Sequence, residues 1–196
     1  MLTAIETILR RRSVRRFTPQ QISDEDLKTI LDCALYAPTG HNLQYPRFLV
    51  IQDPERMAAL NEVIRSELLS CEAAPGTPLY AGAQRAGREG YHFCYRAPTL
   101  ITAVAPRMHA NSMADCACAL ENIQLAATTL GLGACWSNQA HWLTDAPRVR
   151  EIFEDLGMRE DEDIFGSVTV GVPDGEAAAA PARRPGRVLL DRPRSL

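Results

Sequence analysis

The stretch from Asn111 to Leu130 constrains this chain most, because it is helical in period and apolar on nearly every side. Cys116, Leu120, Ile123, Ala127 and Leu130 recur along one face. Leu125 and several alanines lie elsewhere, with Glu121 and Gln124 as exceptions. A helix of that kind has no face suited to bulk water. It predicts a place at the centre of a domain or in a subunit interface, with the other elements arranged around it.

Those elements follow from periodicity and punctuation. Ile5, Ile8 and Leu9 predict a short helix over Leu2 to Arg11. Ser23 followed by Asp24, Glu25 and Asp26 is a helix start, and the stripe Leu27, Ile30, Leu31 and Ala34 carries that helix to about Tyr36, before Pro38. Phe48 to Ile51 predicts a strand and Glu55 to Leu69 a helix. Cys71 to Gly90, rich in Ala, Gly and Pro, predicts a loop with at most a short helix. Thr99 to Ala105 predicts a second strand, leading into the apolar helix. Gly131 and Gly133 stop that helix, Ala134 to Ser137 is extended, Pro147 to Leu156 is helical, and Ile164 to Val172 is a last strand.

Several helices precede the first strand, so the pattern suits an α+β fold, a mixed central sheet flanked by helices, better than a regular doubly wound one. A length of 196 residues with 46% hydrophobic and 23% charged residues predicts one domain over 1–196. Residues 173–196, rich in Pro, Ala and Arg, are expected to form an extended carboxy-terminal arm. No glycine-rich phosphate loop of the Rossmann or P-loop type follows a strand.

Composition excludes some partners. A net charge of -3 gives no general attraction to nucleic acid or anionic membrane, and the apolar runs are too short to span a bilayer. The first twelve residues lack the apolar core of a secretory leader, so a cytoplasmic location is the expectation. The cysteines Cys33, Cys71, Cys94, Cys116, Cys118 and Cys135 lack regular spacing and predict reduced thiols. Cys116 and Cys118, about 200° apart on a helix, cannot share a metal ion, and none is expected.

Two polar segments stand out. Arg10, Arg11, Arg12, Arg15 and Arg16 crowd five guanidinium groups into seven residues around Ser13. Such density calls for an anion, and planar guanidinium forks with a hydroxyl suit a phosphate monoester. A solvated basic helix end is the plainer alternative. The second segment, Pro38-Thr39-Gly40-His41-Asn42-Leu43-Gln44, puts hydroxyl, imidazole and amide groups on a loop between helix and strand. An ordinary turn that satisfies its own backbone is the alternative there.

The order of these segments resembles the FMN-dependent nitroreductase family. Ile8 to Phe17 is similar to the family's amino-terminal signature and Ala37 to Gln44 to its second. Arg96-Ala97-Pro98, Asp115 to Asn122, Leu130 to Trp136, Gly171-Val172-Pro173 and Arg183-Arg184-Pro185 continue in family order.

The resemblance implies an intertwined homodimer with FMN at the subunit interface. It implies that Arg11, Arg12 and Ser13 hold the phosphate and ribityl chain, and that Arg15 lies near flavin N1 and O2 and tunes the flavin's potential. It further implies that Pro38, Thr39, Gly40 and Asn42 reach the flavin from the partner subunit. Ser137, Asn138 and Gln139 would supply a backbone N–H toward N5, where many relatives have glycine, and Arg183 or Arg184 would add a phosphate contact.

Tyr91, His92, Phe93 and Trp136 are candidates for the substrate channel. The implied activity is hydride transfer from NADH or NADPH, through the flavin, to a small-molecule acceptor such as a nitroaromatic or a quinone, the two reactants alternating in one site. Dehalogenation, enoate reduction, flavin destruction, a non-catalytic flavin carrier and a basic-armed nucleic-acid binder remain as alternatives.

Overall fold

Thr3 begins the first helix, α1 (Ala4–Arg10), with a reciprocal cap: its hydroxyl accepts from the Glu6 N–H while the Glu6 carboxylate accepts from the Thr3 N–H. Ser23 caps α2 (Asp24–Leu35) through the Asp26 N–H, and a 3-10 turn (Gly40–Asn42) follows. The computed structural model describes residues 2–176, 178–189 and 191. It continues with β1 (Arg47–Ile51), α3 (Pro54–Ser70), α4 (Pro78–Ala86), β2 (Thr99–Pro106) and α5 (Ser112–Thr129). β3 (Gly133–Ser137), α6 (Gln139–Trp142), α7 (Pro147–Glu154) and β4 (Glu162–Gly171) complete the order.

The four strands form one sheet in the order β1-β2-β4-β3, and every neighbouring pair is antiparallel. The sheet is thus antiparallel rather than mixed as expected; among the described residues the parallel pairing is one isolated bridge outside it, Ser13 to Ala134, through which the arginine segment runs beside β3. The Val14 N–H donates to the Ala134 carbonyl at 2.9 Å and fixes that placement.

Alternation along β2 divides the core into two layers. Leu100 and Val104 face α3 and α7, while Ile101, Ala103 and Ala105 face α2 and α5. Opposite Ala103 and Val104 the register skips Phe165, leaving an extra residue in β4. A bulge of this kind reverses which face receives alternate side chains. Ile164 therefore joins the α3 side, and Val168 and Val170 join the α5 side.

The helix read as apolar on all sides does lie centrally. Cys116, Ala119, Leu120, Ile123 and Ala127 pack under the sheet. Its opposite side, with Asn122, Leu125 and Ala126, lines an apolar cleft of about 370 Å³ beside Ile8 and Tyr36. Ile8 and Tyr36 are exposed there, at 57% and 89%.

The Cys71 to Gly90 region contains a nine-residue helix, α4, capped by the Thr77 hydroxyl. It is built on small residues: a Cβ on Gly82 would lie 3.1 Å from the Trp142 ring and 3.3 Å from Leu68. No helix among the described residues is long and apolar enough to cross a membrane.

Candidate active site

The bridge to β3 carries the arginine segment onto one end of the sheet, where its side chains diverge. Arg11 turns toward α5, 3.5 Å from a Glu121 carboxylate oxygen and 3.5 Å from the Gln124 amide oxygen. Arg12 folds back and donates to the Leu9 and Arg11 carbonyls at 2.8 and 2.6 Å, satisfying the end of α1. Arg15 and Arg16 point the other way, into a cleft of about 450 Å³. The Arg16 guanidinium pairs with Asp174 at 3.0 Å.

Arg15 stands over the Tyr95 ring, 5.8 Å from its centroid. Its contact with the Tyr95 side chain raises its pKa, so it is a permanent cation. The Cys135 thiol in β3 lies near the Ser13 and Tyr95 hydroxyls and feels the charge of Arg15 and, less, of Arg11. Burial raises that thiol's pKa, and the neighbouring arginines with the Ser13 and Tyr95 hydroxyls pull it part of the way back.

Gln139 and Tyr91 occupy the inner wall of the cleft. Gln139 is buried and its side-chain oxygen accepts from the Ser137 hydroxyl at 2.8 Å. As the first residue of a helical turn, it has a backbone N–H without an intrahelical acceptor. Asn138 has φ -104, an ordinary right-handed conformation, and its side-chain oxygen receives the Trp136 indole N–H.

The Tyr91 hydroxyl is buried and has no hydrogen-bond partner. Burial pushes its pKa up to about 12, with Gln139 close enough to oppose the rise. His92 lines the same cleft, and burial, reinforced by Arg96, pushes its pKa down to about 4. Its ring is therefore neutral at pH 7. Tyr95 and Arg96, both on the cleft wall, adopt left-handed backbone with φ 58 each, a conformation costly for non-glycine residues.

The other candidates lie elsewhere in the protomer. Phe93 is fully buried in the α3-side core, its N–H held by the Asn61 side chain at 3.0 Å, and is a packing residue. Trp136 covers Gly166 from the α5 side, so its indole is turned from the cleft. Pro38, Thr39, Gly40 and Asn42 lie beside the start of α5. There the Gly40 N–H reaches Asp115, and His41, Asn42 and Gln44 have positive φ. Arg183 and Arg184 are exposed and line none of the clefts described here. Within this chain, therefore, the Pro38 loop and the carboxy-terminal arginines do not join the Arg11 to Arg15 segment.

Sequence reading gives no site role to Cys135, Tyr95 or Arg96, although Cys135 and Arg96 fall within segments that resemble the family's. The first was grouped with packing thiols, and the other two gave no periodic signal before a turn of unusual backbone. Among the described residues, no group of three or more His, Cys, Asp and Glu side chains forms a metal cage.

The Nitroreductase family model matches residues 8–172. A crystal structure of a nitroreductase with bound FMN from Bacteroides fragilis superposes with a TM-score of 0.87 at 32% identity, over 97% of this chain and 99% of that one. A second nitroreductase with bound FMN, from Desulfitobacterium hafniense, gives a TM-score of 0.78 at 25% identity, over 93% and 96%. A protein of Archaeoglobus fulgidus, provisionally named an NADH dehydrogenase/NAD(P)H nitroreductase, is 28% identical over 176 residues, which is 90% of this chain and 88% of the relative.

Proposed function

The chain belongs to the nitroreductase family, and from that premise we propose that it is an FMN-dependent oxidoreductase using NADH or NADPH to reduce nitroaromatic, quinone or related electrophilic acceptors. The observation that carries this reading is the seating of the arginine segment beside β3 by the bridge from Ser13 to Ala134, with Arg15 lining a cleft that Gln139 and Tyr91 also line. Similar solved structures hold FMN.

The residues fit the cofactor chemically. A phosphate monoester needs cationic forks and hydroxyl donors, which Arg11, Arg12 and Ser13 offer with N–H groups to spare. The buried Tyr91 hydroxyl, left without a partner, is a donor that a bound molecule would satisfy. FMN, when bound, supplies hydride acceptance and donation at N5, which lets one cleft serve a nicotinamide and then an electrophile in turn.

The protein's own contribution is electrostatic and positional. Arg15, a fixed cation on the cleft wall, would stabilise negative charge on the reduced cofactor. The Gln139 backbone N–H, oriented by the turn it opens, is the donor assigned to the N5 side, with Asn138 and Ser137 shaping that turn. Tyr91 and His92 position the reactant that enters the cleft, and no side chain acts as a nucleophile.

The working unit in this reading is a homodimer. The apolar cleft of α1, α2 and α5, with exposed Ile8 and Tyr36, is suited to a second copy. The partner's Pro38 to Asn42 loop and an Arg183 or Arg184 would then complete the cofactor site that one protomer leaves open. In the same reading the chain is one domain, the segment from residue 173 onward serves it as an arm, and the location is cytoplasmic.

The test is direct. The purified protein should carry about one FMN per chain, bleach on anaerobic addition of NADH or NADPH, and recover its colour with a nitroaromatic or a quinone. A protein that takes up no FMN, or whose flavin neither nucleotide reduces, would sink the proposal.

A further inference from the structure

The cleft is far more basic than cofactor binding requires. Arg15 and Arg16 have partners in Tyr95 and Asp174. Arg85, Arg88 and Arg96 also line the cleft, and none of the three takes part in an ion pair among the described residues. The carboxylates on the same wall are Asp174, already engaged, and the exposed Glu89.

One of these arginines, Arg85, is carried by a helix rather than by a loop. α4 is pinned by the close approach of Gly82 to Trp142 and Leu68, and by the Arg65 side chain, which donates to the Ala86 carbonyl at 3.0 Å. The buried pair Gly82 and Ala86 fixes one face of α4, and Arg85 leaves from its last turn toward the cleft. Arg85 donates through Nε to its own helix at the Ala81 carbonyl, at 3.0 Å, which leaves both terminal nitrogens of the fork for a ligand. Arg88 follows one turn later. Arg96 lines the same cleft, carried by the left-handed pair Tyr95 and Arg96.

Three guanidinium groups that line one cleft without a carboxylate partner are open to an anion. We propose that Arg85, Arg88 and Arg96 bind a carboxylate or phosphate group of the reacting small molecule, so that this enzyme prefers anionic over neutral substrates of the same shape. This rests on the oxidoreductase reading given above and assigns the charge of its substrate. The anionic group has two sources, a carboxylate on the electron acceptor or the 2′-phosphate of an NADPH donor. Tyr91, with its unsatisfied hydroxyl on the inner wall, donates to the same molecule nearer the flavin.

The experiment compares the FMN-loaded protein with R85A/R88A and the conservative R85K/R88K. Both positions are exposed, so neither change should disturb folding. Benzoate and benzamide, which cannot be reduced, are titrated by calorimetry. 4-Nitrobenzoate against 4-nitrobenzamide, and NADPH against NADH, are then compared in separate half-reactions.

For the starting protein, benzoate should bind more tightly than benzamide. R85A/R88A should lose roughly five- to twentyfold in kcat/KM for the more anionic member of a pair and little for the other, as expected for two partly exposed charge contacts. Added salt should shrink the difference, and R85K/R88K should restore part of it. A loss confined to 4-nitrobenzoate assigns the carboxylate source, and one confined to NADPH assigns the phosphate source. Equal effects on charged and neutral partners, or no effect on either, would overturn the proposal. Flavin content and reduction by NADH, read on the same samples beforehand, separate that failure from failure of the oxidoreductase reading itself.

Discussion

The Gly40 N–H is shared between the two carboxylate oxygens of Asp115, 3.1 Å from Oδ1 and 3.2 Å from Oδ2, and so ties the loop after α2 to the first turn of α5. Asp115 is 6% exposed, and its carboxylate near a helix start is favoured by the helix dipole as well. Asp115→Ala should lower stability by about 2 kcal/mol, the scale of a lost charge-assisted bond, read as a lower thermal midpoint. Asp115→Asn, which keeps one acceptor, should fall between. Because this loop is assigned to the cofactor of the partner subunit, the Ala variant should also release FMN faster.

Arg15 offers a prediction on potential rather than on stability. Replacing it with Ala removes a cation from the pyrimidine edge and should make the bound flavin harder to reduce. A contribution of about 1 kcal/mol, the upper end for an exposed pair, corresponds to roughly 20 mV for a two-electron couple. Dye-equilibrium titration would measure it, and Arg15→Lys should keep most of the starting potential.

Tyr91 separates folding from function. Its hydroxyl is buried without a partner, so Tyr91→Phe should leave the thermal midpoint unchanged or raise it by up to about 1 kcal/mol equivalent. Catalysis should move the other way, with kcat/KM for the acceptor falling several-fold, on the order of one lost hydrogen bond. A parallel loss of stability and activity would show that the hydroxyl is structural.

His92 sets an acid limit. Its pKa is near 4 in the folded protein against an ordinary value of 6.5, so between those values the unfolded chain binds more protons than the folded one. Stability therefore rises with pH through that window and falls as pH drops from about 6.5 to about 4. The partly exposed ring will deliver less than its full shift. His92→Gln should flatten the pH dependence of the denaturation midpoint in that window and leave it unchanged above pH 7.

Legibility from sequence followed the size of the side chains. Ile30 and Ala34 in α2, and Leu60, Ile64 and Leu68 in α3, recur at helical spacing and marked both helices to within a residue or two. α4 was only weakly visible because its buried positions are Gly82 and Ala86, small residues whose value lies in letting Trp142 and Leu68 approach. α6, four residues long, is too short for any period. The register change at Phe165 alters which face Ile164 meets, and nothing local announces it.

At the site, the arginine segment was visible as a density of charge, but not the divergence within it. Which guanidinium turns to α5, which caps α1 and which enters the cleft depends on the bridge between Ser13 and Ala134, a contact between distant parts of the chain. Phe93 was misplaced for a related reason. It stands between Tyr91 and Tyr95, and the turn there sends the flanking rings to the cleft and the middle one into the core.

That same bridge has a kinetic meaning. Ser13 and Val14 have nothing to pair with until β3 has docked on β4, so the cofactor site cannot exist as a local structure of the amino-terminal segment. Closing so long a loop is slow, because its entropy is lost before the contact rewards it. During refolding the sheet should form first and affinity for FMN should appear later, which makes the cofactor a reporter of the last step of assembly.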